Sequence, residues 1–450
     1  MGDLLNNFSE VLIRGIKQIE LKNDELGHFL EQEYIRQKSV LMMVASCSIV
    51  PPSVLACMGM PVVNVTAEGY PRKRYHAGCV EVDKIEELAI LKAKEVFNAQ
   101  YANVQPHSAS TANEIVMYSL VKPGGLIMGM DLKSGGHLSH GAKVSYSGTD
   151  FQVVNYGLDE NFLIDYDNVE ELALKYRPNM IVCGTTAYCR KIDFKRFREI
   201  ADKVGAYLLA DISHIAGLVI ANLHESPIEY AHVTTTCTHK QLFGPRGGLI
   251  LSGSDAKRNM IGEDILLEDK LQRAVFPFFQ GAPIMNQIAG KAMALTLANS
   301  IEYNQIMQRV IENAKILATC LQELGFDVIS NGTDNHIVLV DLSKKAINGD
   351  IAEKALEECG IIVNKNSVPN IKSSDNKKVK QAAGIRIGTN SISQRNISAD
   401  GVKECALMIA DVINNTYSED SIIFRIDDLI KQDVLKRVKK LCEDFPIPGY

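Results

Sequence analysis

From about residue 124 the chain alternates between two textures. Short, nearly continuous apolar runs occur at "GGLIMGM" (124–130), "FQVVNYG" (151–157), "MIVCGTT" (180–186), "AYLLADI" (206–212), "VTTTC" (233–237) and "GLILSG" (248–253). Between them "NVEELALKY" (168–176) and "FKRFREIADKVG" (194–205) carry apolar residues at helical spacing. Runs without strict apolar–polar alternation predict strands buried on both faces. Strands alternating with helices predict a mainly parallel sheet covered by helices, an α/β fold. Upstream, "VDKIEELAILKAKEVFNA" (82–99) has helical periodicity and neither glycine nor proline, so it predicts a helix. "HSASTANEIVMYSLV" (107–121) reads as a polar loop entering a helix.

Beyond about residue 286 the pattern changes. A long helical region, 286–325, precedes "HIVLVDL" (336–342), "DIAEKALEECG" (350–360), "IIVNKN" (361–366) and "GIRIGT" (384–389). These predict a smaller α/β unit with its own strands, and "NIKSSDNKKVKQ" (370–381) reads as a solvated loop. The expected organisation is an N-terminal arm (1–60), a large domain (61–290) and a small domain (291–450).

With 450 residues, 46% of them hydrophobic, the chain can bury a large core. The net charge of −6 is spread without a long single-sign block, which argues against nucleic acid or an anionic membrane as main partner. No apolar run of about 18 residues predicts a membrane span, and the first twenty residues do not read as a signal peptide. Ten scattered cysteines without a CxxC pair predict reduced thiols and a cytoplasmic location.

Ligands of open α/β sheets sit at the carboxyl ends of strands, and several polar residues fall there. Asp211 ends an apolar run, with His214 three residues on. Buried there it needs a cationic partner, for which a pyridinium nitrogen is one candidate; capping the next segment is the other reading. "HSAST" (107–111) can form a phosphate cup at a helix start, as it can form any helix cap. "KSGGHLSHG" (133–141) places His137 and His140 around a Gly–Gly step. No cysteine or carboxylate stands at ligand spacing, so a ring stacked on a planar ligand is favoured over a metal. Lys240 lies between a predicted strand and "GPRGG", with Arg246 to lower its pKa, as a carbonyl-binding lysine requires. Arg386, inside an apolar strand, wants a carboxylate or phosphate. Together these are the parts of a pyridoxal phosphate enzyme acting on an amino acid.

With those residues in view, the chain resembles serine hydroxymethyltransferase, a fold-type I (aspartate aminotransferase-like) pyridoxal phosphate enzyme. The resemblance spans nearly the whole chain. It rests on "AEGYPRKRY" (67–75), "NVQPHSAS" (103–110), "GMDLKSGGHLSHG" (129–141), "FREIADKVGAYLLADISHIAGLV" (197–219), "THKQLFGPRGGLIL" (238–251), "NGTDNHIVLVDL" (331–342), "GIIVNKN" (360–366) and "GIRIGT". It implies that Lys240 holds the cofactor covalently, Asp211 bonds its pyridine nitrogen and His137 stacks on its ring. Ser108, Ala109 and Ser110 would hold the phosphate, helped by Gly281 from a neighbouring subunit, with Thr186 and His239 in the same cofactor set. Ser46, His214 and Arg386 would handle the substrate carboxylate and the cofactor's 3-oxygen. Glu68, from the neighbouring subunit, would be the acid–base group, with Tyr75 beside it. Leu132, Gly136, Leu138 and Asn366 match positions lining the pterin of tetrahydrofolate, the implied co-substrate. Shared sites imply a homodimer or a dimer of dimers.

The departures cluster around the substrate. Cys47 and Ser48 replace a Glu–Asn pair, Thr66 and His76 replace tyrosines, and Arg72 replaces a glycine. Ala109, Ser134, Cys237 and Phe243 also differ from the usual wording. They leave two activities open: serine–glycine interconversion with tetrahydrofolate, or a folate-independent aldolase or transaldolase with altered specificity. His76 is the most telling, because an imidazole exchanges a proton at neutral pH more readily than a phenol.

Overall fold

A computed structural model describes residues 2–369, 383–418 and 423–450, with side chains from residue 8 onward. The loop expected at 370–381 lies outside the described residues.

Seven strands form the principal sheet: β1 (Tyr101–Asn103), β2 (Leu126–Met130), β3 (Gln152–Tyr156), β4 (Met180–Gly184), β5 (Tyr207–Asp211), β6 (Val233–Cys237) and β7 (Gly248–Ser252). Their order is β1-β7-β6-β5-β4-β2-β3. Pairs among β2 to β6 are parallel, while β7 runs antiparallel to both β6 and β1. All six expected runs are strands. The seventh, β1, has three residues and follows a helix almost directly, too short for a hydrophobic period to register. The antiparallel β7 makes the Lys240 segment a hairpin connection rather than a crossover.

Successive strand residues serve opposite cores. Met128, Ile181, Cys183, Leu208, Ala210 and Leu249 pack with α3 (Val80–Phe97), α6 (Phe194–Val204) and α7 (Met285–Ala298). Ile127, Val182, Leu209 and Ile250 pack on the other face against Ile115 and Met117 of α4 (Ala109–Leu120). Burial on both faces is why Leu126–Met130, Met180–Gly184 and residues 207–210 are almost wholly apolar, whereas β6 buries Thr234, Thr235 and Thr236. The helices start where side chains replace missing backbone acceptors. Ser108 accepts from the Thr111 amide at 3.0 Å for α4, and Asp193 from the Arg196 amide at 2.8 Å for α6. Ser300 caps α8 (Ile301–Glu323) and so splits the expected 286–325 region into α7 and α8.

A second, antiparallel sheet contains β8 (Asp327–Val328), β9 (Ile337–Asp341), β10 (Asn364–Asn366) and β11 (Gly384–Gly388), ordered β8-β9-β11-β10. The expected 361–366 strand is divided. Ile361–Ile362 pairs in parallel with Leu41–Met42, so this upstream segment joins the second core, where Leu41 and Met43 are buried. No described helix is long and apolar enough to cross a membrane.

A small hairpin, Gly69–Tyr70 with Lys73–Arg74, leaves the principal core beside α3. Arg72 turns it at φ +62, in the left-handed region, with its amide on Asp83 at 2.8 Å. Arg74 anchors it. Its buried guanidinium bonds Asp83 at 2.8 Å and Glu86 at 2.6 Å, and donates to the Ala67 and Gly69 carbonyls. Removing Glu86 would leave the buried guanidinium with Asp83 as its one remaining counter-charge. Glu86→Ala is therefore expected to lower unfolding free energy by about 3–5 kcal/mol, measured by urea denaturation.

Candidate active site

A cavity of about 460 Å³ opens at the carboxyl ends of β4, β5 and β6, against the start of α4. It brings together Ser46, Ser108, Ala109, Ser110, Leu132, Gly136, His137, Leu138, Thr186, Asp211, His214, His239, Lys240 and Arg386.

Asp211 sits at its floor, the last residue of β5, nearly fully buried. Four donors meet its carboxylate. Asn113 Nδ2 of α4 and His140 Nε2 reach Oδ2 at 2.8 and 3.0 Å, and the Ser213 amide and hydroxyl reach Oδ1 at 3.0 and 2.6 Å. Burial alone would raise its pKa, but the hydrogen bond and charge of His140, with His137 and Ser213, hold it well below the usual carboxylate range. Asp211 thus both caps the following turn and keeps a buried negative charge facing the cavity. His137 belongs to the same network: Asn113 also donates to Ser139 Oγ, which lies 2.7 Å from His137 Nδ1. Burial, then the neighbouring His140, pushes His137 down to about 4, so its ring is neutral.

Lys240 is presented by the β6–β7 connection. Thr238 closes the loop with its hydroxyl on the Pro245 carbonyl at 2.5 Å, and the Gly244 amide returns to the Thr238 carbonyl at 2.8 Å. Tyr303 of α8 donates to the Gln241 carbonyl at 2.7 Å, and Phe243, at φ +52, packs its ring on Tyr303. Burial, aided by Arg386 and Arg246, lowers the Lys240 pKa and favours the free amine a nucleophile needs. Gly248, just past the loop, lies so close to α4 that a Cβ there would stand 2.3 Å from the Ser108 carbonyl oxygen.

Arg386 enters from β11 of the second sheet. It bonds the Thr186 carbonyl at 2.5 Å and Asn364 Oδ1 at 3.1 Å, and no described carboxylate stands within ion-pair distance. Burial pushes it down to about 10, so it stays cationic at neutral pH. His214 stacks on His336, ring centroids 5.5 Å apart. His336 Nε2 faces the Ala45 carbonyl at 3.2 Å and His214 Nδ1 at 3.3 Å. A carbonyl only accepts, so His336 Nε2 carries hydrogen and His214 Nδ1 is an acceptor. Burial keeps both rings neutral, which leaves the His214 proton on Nε2.

Not every expected residue joins this cavity. Glu68, Tyr75, His76 and Gly281 stand outside its lining and near one another. Glu68 Oε2 is 3.2 Å from His76 Nε2, and a Cβ on Gly281 would lie 3.6 Å from Glu68 Oε1. Tyr75 is 72% exposed and edges onto Phe276. Asn366 also stands apart, donating to the Ser367 carbonyl. Sequence reasoning missed Asn113, Ser213 and His336, and took Arg386 without its Asn364 partner. His140 was in view, but only space shows its carboxylate partner to be Asp211.

A model of the family described as serine hydroxymethyltransferase matches residues 19–409. The chain belongs to the serine hydroxymethyltransferase family. It is 46% identical over 426 residues to the serine hydroxymethyltransferase of Rickettsia africae, covering 94% of this chain and 97% of the relative. The serine hydroxymethyltransferase of Rickettsia massiliae is 45% identical over 434 residues, 96% of this chain and 99% of the relative. Serine hydroxymethyltransferases are fold-type I pyridoxal phosphate enzymes with tetrahydrofolate as co-substrate. The cavity suits that cofactor. Arg246 and Arg386 line it beside Lys240 and one carboxylate, Asp211, a balance that favours a ligand of net negative charge.

Asp211→Ala is expected to keep the fold and weaken pyridoxal phosphate binding by about 2–5 kcal/mol. Titration of the resolved protein with the cofactor, followed by absorbance, measures it.

Proposed function

We propose that the chain moves the hydroxymethyl group of serine to tetrahydrofolate, leaving glycine, and runs the reverse reaction. One observation carries the reading: Lys240, ionised Asp211 and the start of α4 face one cavity in a chain of this family. Similarity at this level along nearly the full length of folate-dependent relatives favours it over the folate-independent aldolase.

In this reading Lys240 anchors pyridoxal phosphate, Asp211 holds its ring nitrogen, His137 covers one ring face, and Ser108, Ala109 and Ser110 hold its phosphate. Thr186 and His239 complete the cofactor's surroundings. Bound there, the cofactor supplies the electron sink that lets the Cα–Cβ bond of serine break. Arg386 binds the amino acid's carboxylate bidentately, helped by Ser46, and so decides which Cα bond is aligned for cleavage. His214, neutral with its proton on Nε2, donates a hydrogen bond and does not act as base. Leu132 and Leu138, half exposed at the mouth, with Gly136 and Asn366, receive the pterin.

Glu68 is the acid–base group for the hydroxyl proton, with Tyr75 and His76 beside it. Their grouping with Gly281, outside the lining of their own chain's cavity, supports a dimer or tetramer in which this cluster completes a neighbour's site. A cytoplasmic location fits the reduced thiols, all ten of which are free.

Two measurements test these assignments. Arg386→Ala is expected to raise the KM for serine on the order of 100-fold, two lost charge-assisted hydrogen bonds, with a smaller change in the KM for folate. Mixing inactive Glu68→Gln with inactive Lys240→Ala subunits is expected to restore about a quarter of wild-type turnover, because one site of each mixed dimer is intact. No recovery after exchange would mean that sites are not shared.

A further inference from the structure

Lys291 is a lone lysine in the apolar stretch of α7, and it is 2% exposed. Its Nζ donates to three backbone carbonyls: Val104 at 2.6 Å, Pro106 at 3.0 Å and Gly248 at 3.0 Å. Three converging acceptors need three protons, which only the ammonium supplies. Val104 and Pro106 lead directly into Ser108 and α4. Gly248 opens β7 immediately after the Lys240 loop, and its backbone lies against Ser108. One amino group thus ties the proposed phosphate cup to the strand that closes the Lys240 loop. Gln280 holds the same turn from the other side, donating to the Gln105 carbonyl at 3.0 Å and accepting from the His107 amide at 3.2 Å.

No described carboxylate stands within ion-pair distance of Lys291. A buried cation without a counter-ion is costly, and backbone carbonyls only solvate it. Burial drives its pKa down to about 7 despite the favourable charge of Glu86 on α3. The neighbouring His107 is held below the usual imidazole range by burial and by the charge of Lys291.

We propose that Lys291 is a positioning residue for the cofactor phosphate: its ammonium sets the Val104–Ser108 turn against Gly248, and the bound phosphate balances its charge. This rests on the placement of the phosphate at Ser108–Ser110 proposed above. Lysine suits the position because a compact ammonium meets three converging carbonyls, whereas a planar guanidinium would not fit the same point. Phosphate binding in turn raises the pKa of Lys291. Affinity for the phosphate-bearing ligand then falls as pH rises above about 7, where the free protein loses that proton.

The test compares pyridoxal phosphate with pyridoxal, which lacks the phosphate, on the full-length apoenzyme of wild type, Lys291→Met and Ser108→Ala. Lys291→Met is expected to weaken pyridoxal phosphate on the order of tenfold and pyridoxal by less than about twofold, and to shift the phosphorus NMR resonance of the bound cofactor. Equal weakening of both ligands would mean a merely structural lysine and would overturn the proposal. So would unchanged binding of pyridoxal phosphate. Ser108→Ala separates the two layers: weakened phosphate binding there beside a normal Lys291→Met protein sinks the lysine's role and leaves the cup standing. If neither variant distinguishes the ligands, the cup falls as well. Should Lys291→Met not fold, the ratio of the two affinities in the wild type decides. A fall with rising pH above neutrality supports the proposal, and a flat ratio overturns it.

Discussion

Keeping a negative charge at the end of a strand buried on both faces is the constraint around which the site is arranged. Asp211 remains ionised only because Asn113, His140 and Ser213 bring four hydrogen bonds to it from a helix, a loop and its own turn. Each donor is held in turn. Thr235 of β6 donates to Asn113 Oδ1 at 2.5 Å, which aims the amide of Asn113 at Asp211 and Ser139. Ser139 then orients His137. The positions of α4, the His137 loop and β6 are therefore linked through one carboxylate. A shift in any of them would move the floor of the cavity.

What could be read along the chain was whatever depends on local order. Six strands showed themselves as apolar runs, and Lys240, Asp211 and Arg386 stood out as charges that such runs do not tolerate without a reason. What could not be read depends on distant pairing. β1 exists because β7 offers it an edge, and the 361–366 strand divides because Leu41–Met42 takes its first half. The tautomer of His214 is set by His336, 122 positions away. Lys291 left a visible trace, a lysine among alanines and leucines on α7, but its three acceptors come from segments that only the sheet brings together. Asp211 had seemed to demand a choice between cap and charge partner. In the structure Oδ1 caps the following turn at Ser213, while Oδ2 accepts from Asn113 and His140.

The departures from family wording gain physical content in the structure. Arg72, one of the expected departures, occupies a left-handed backbone position and is compensated by Asp83 and Glu87. Phe243 is also left-handed and is held by Tyr303. Both backbone shapes are kept by packing and hydrogen bonds where the residue type does not favour them. His76 differs in kind, since it changes the chemistry beside Glu68 and leaves the backbone alone.

The helix α8 has 23 residues and passes through both cores. Tyr303, Met307 and Val310 are buried with the principal sheet, whereas Ala314, Leu317 and Leu321 are buried with the second. Tyr303 on this helix also braces the Lys240 loop, and the second sheet carries Arg386. The two sheets consequently share a rigid axle. A wide hinge between them would have to bend that helix and break its packing at one end. Any change in the spacing of the lysine and the arginine would have to be absorbed by that helix or by its packing at one end.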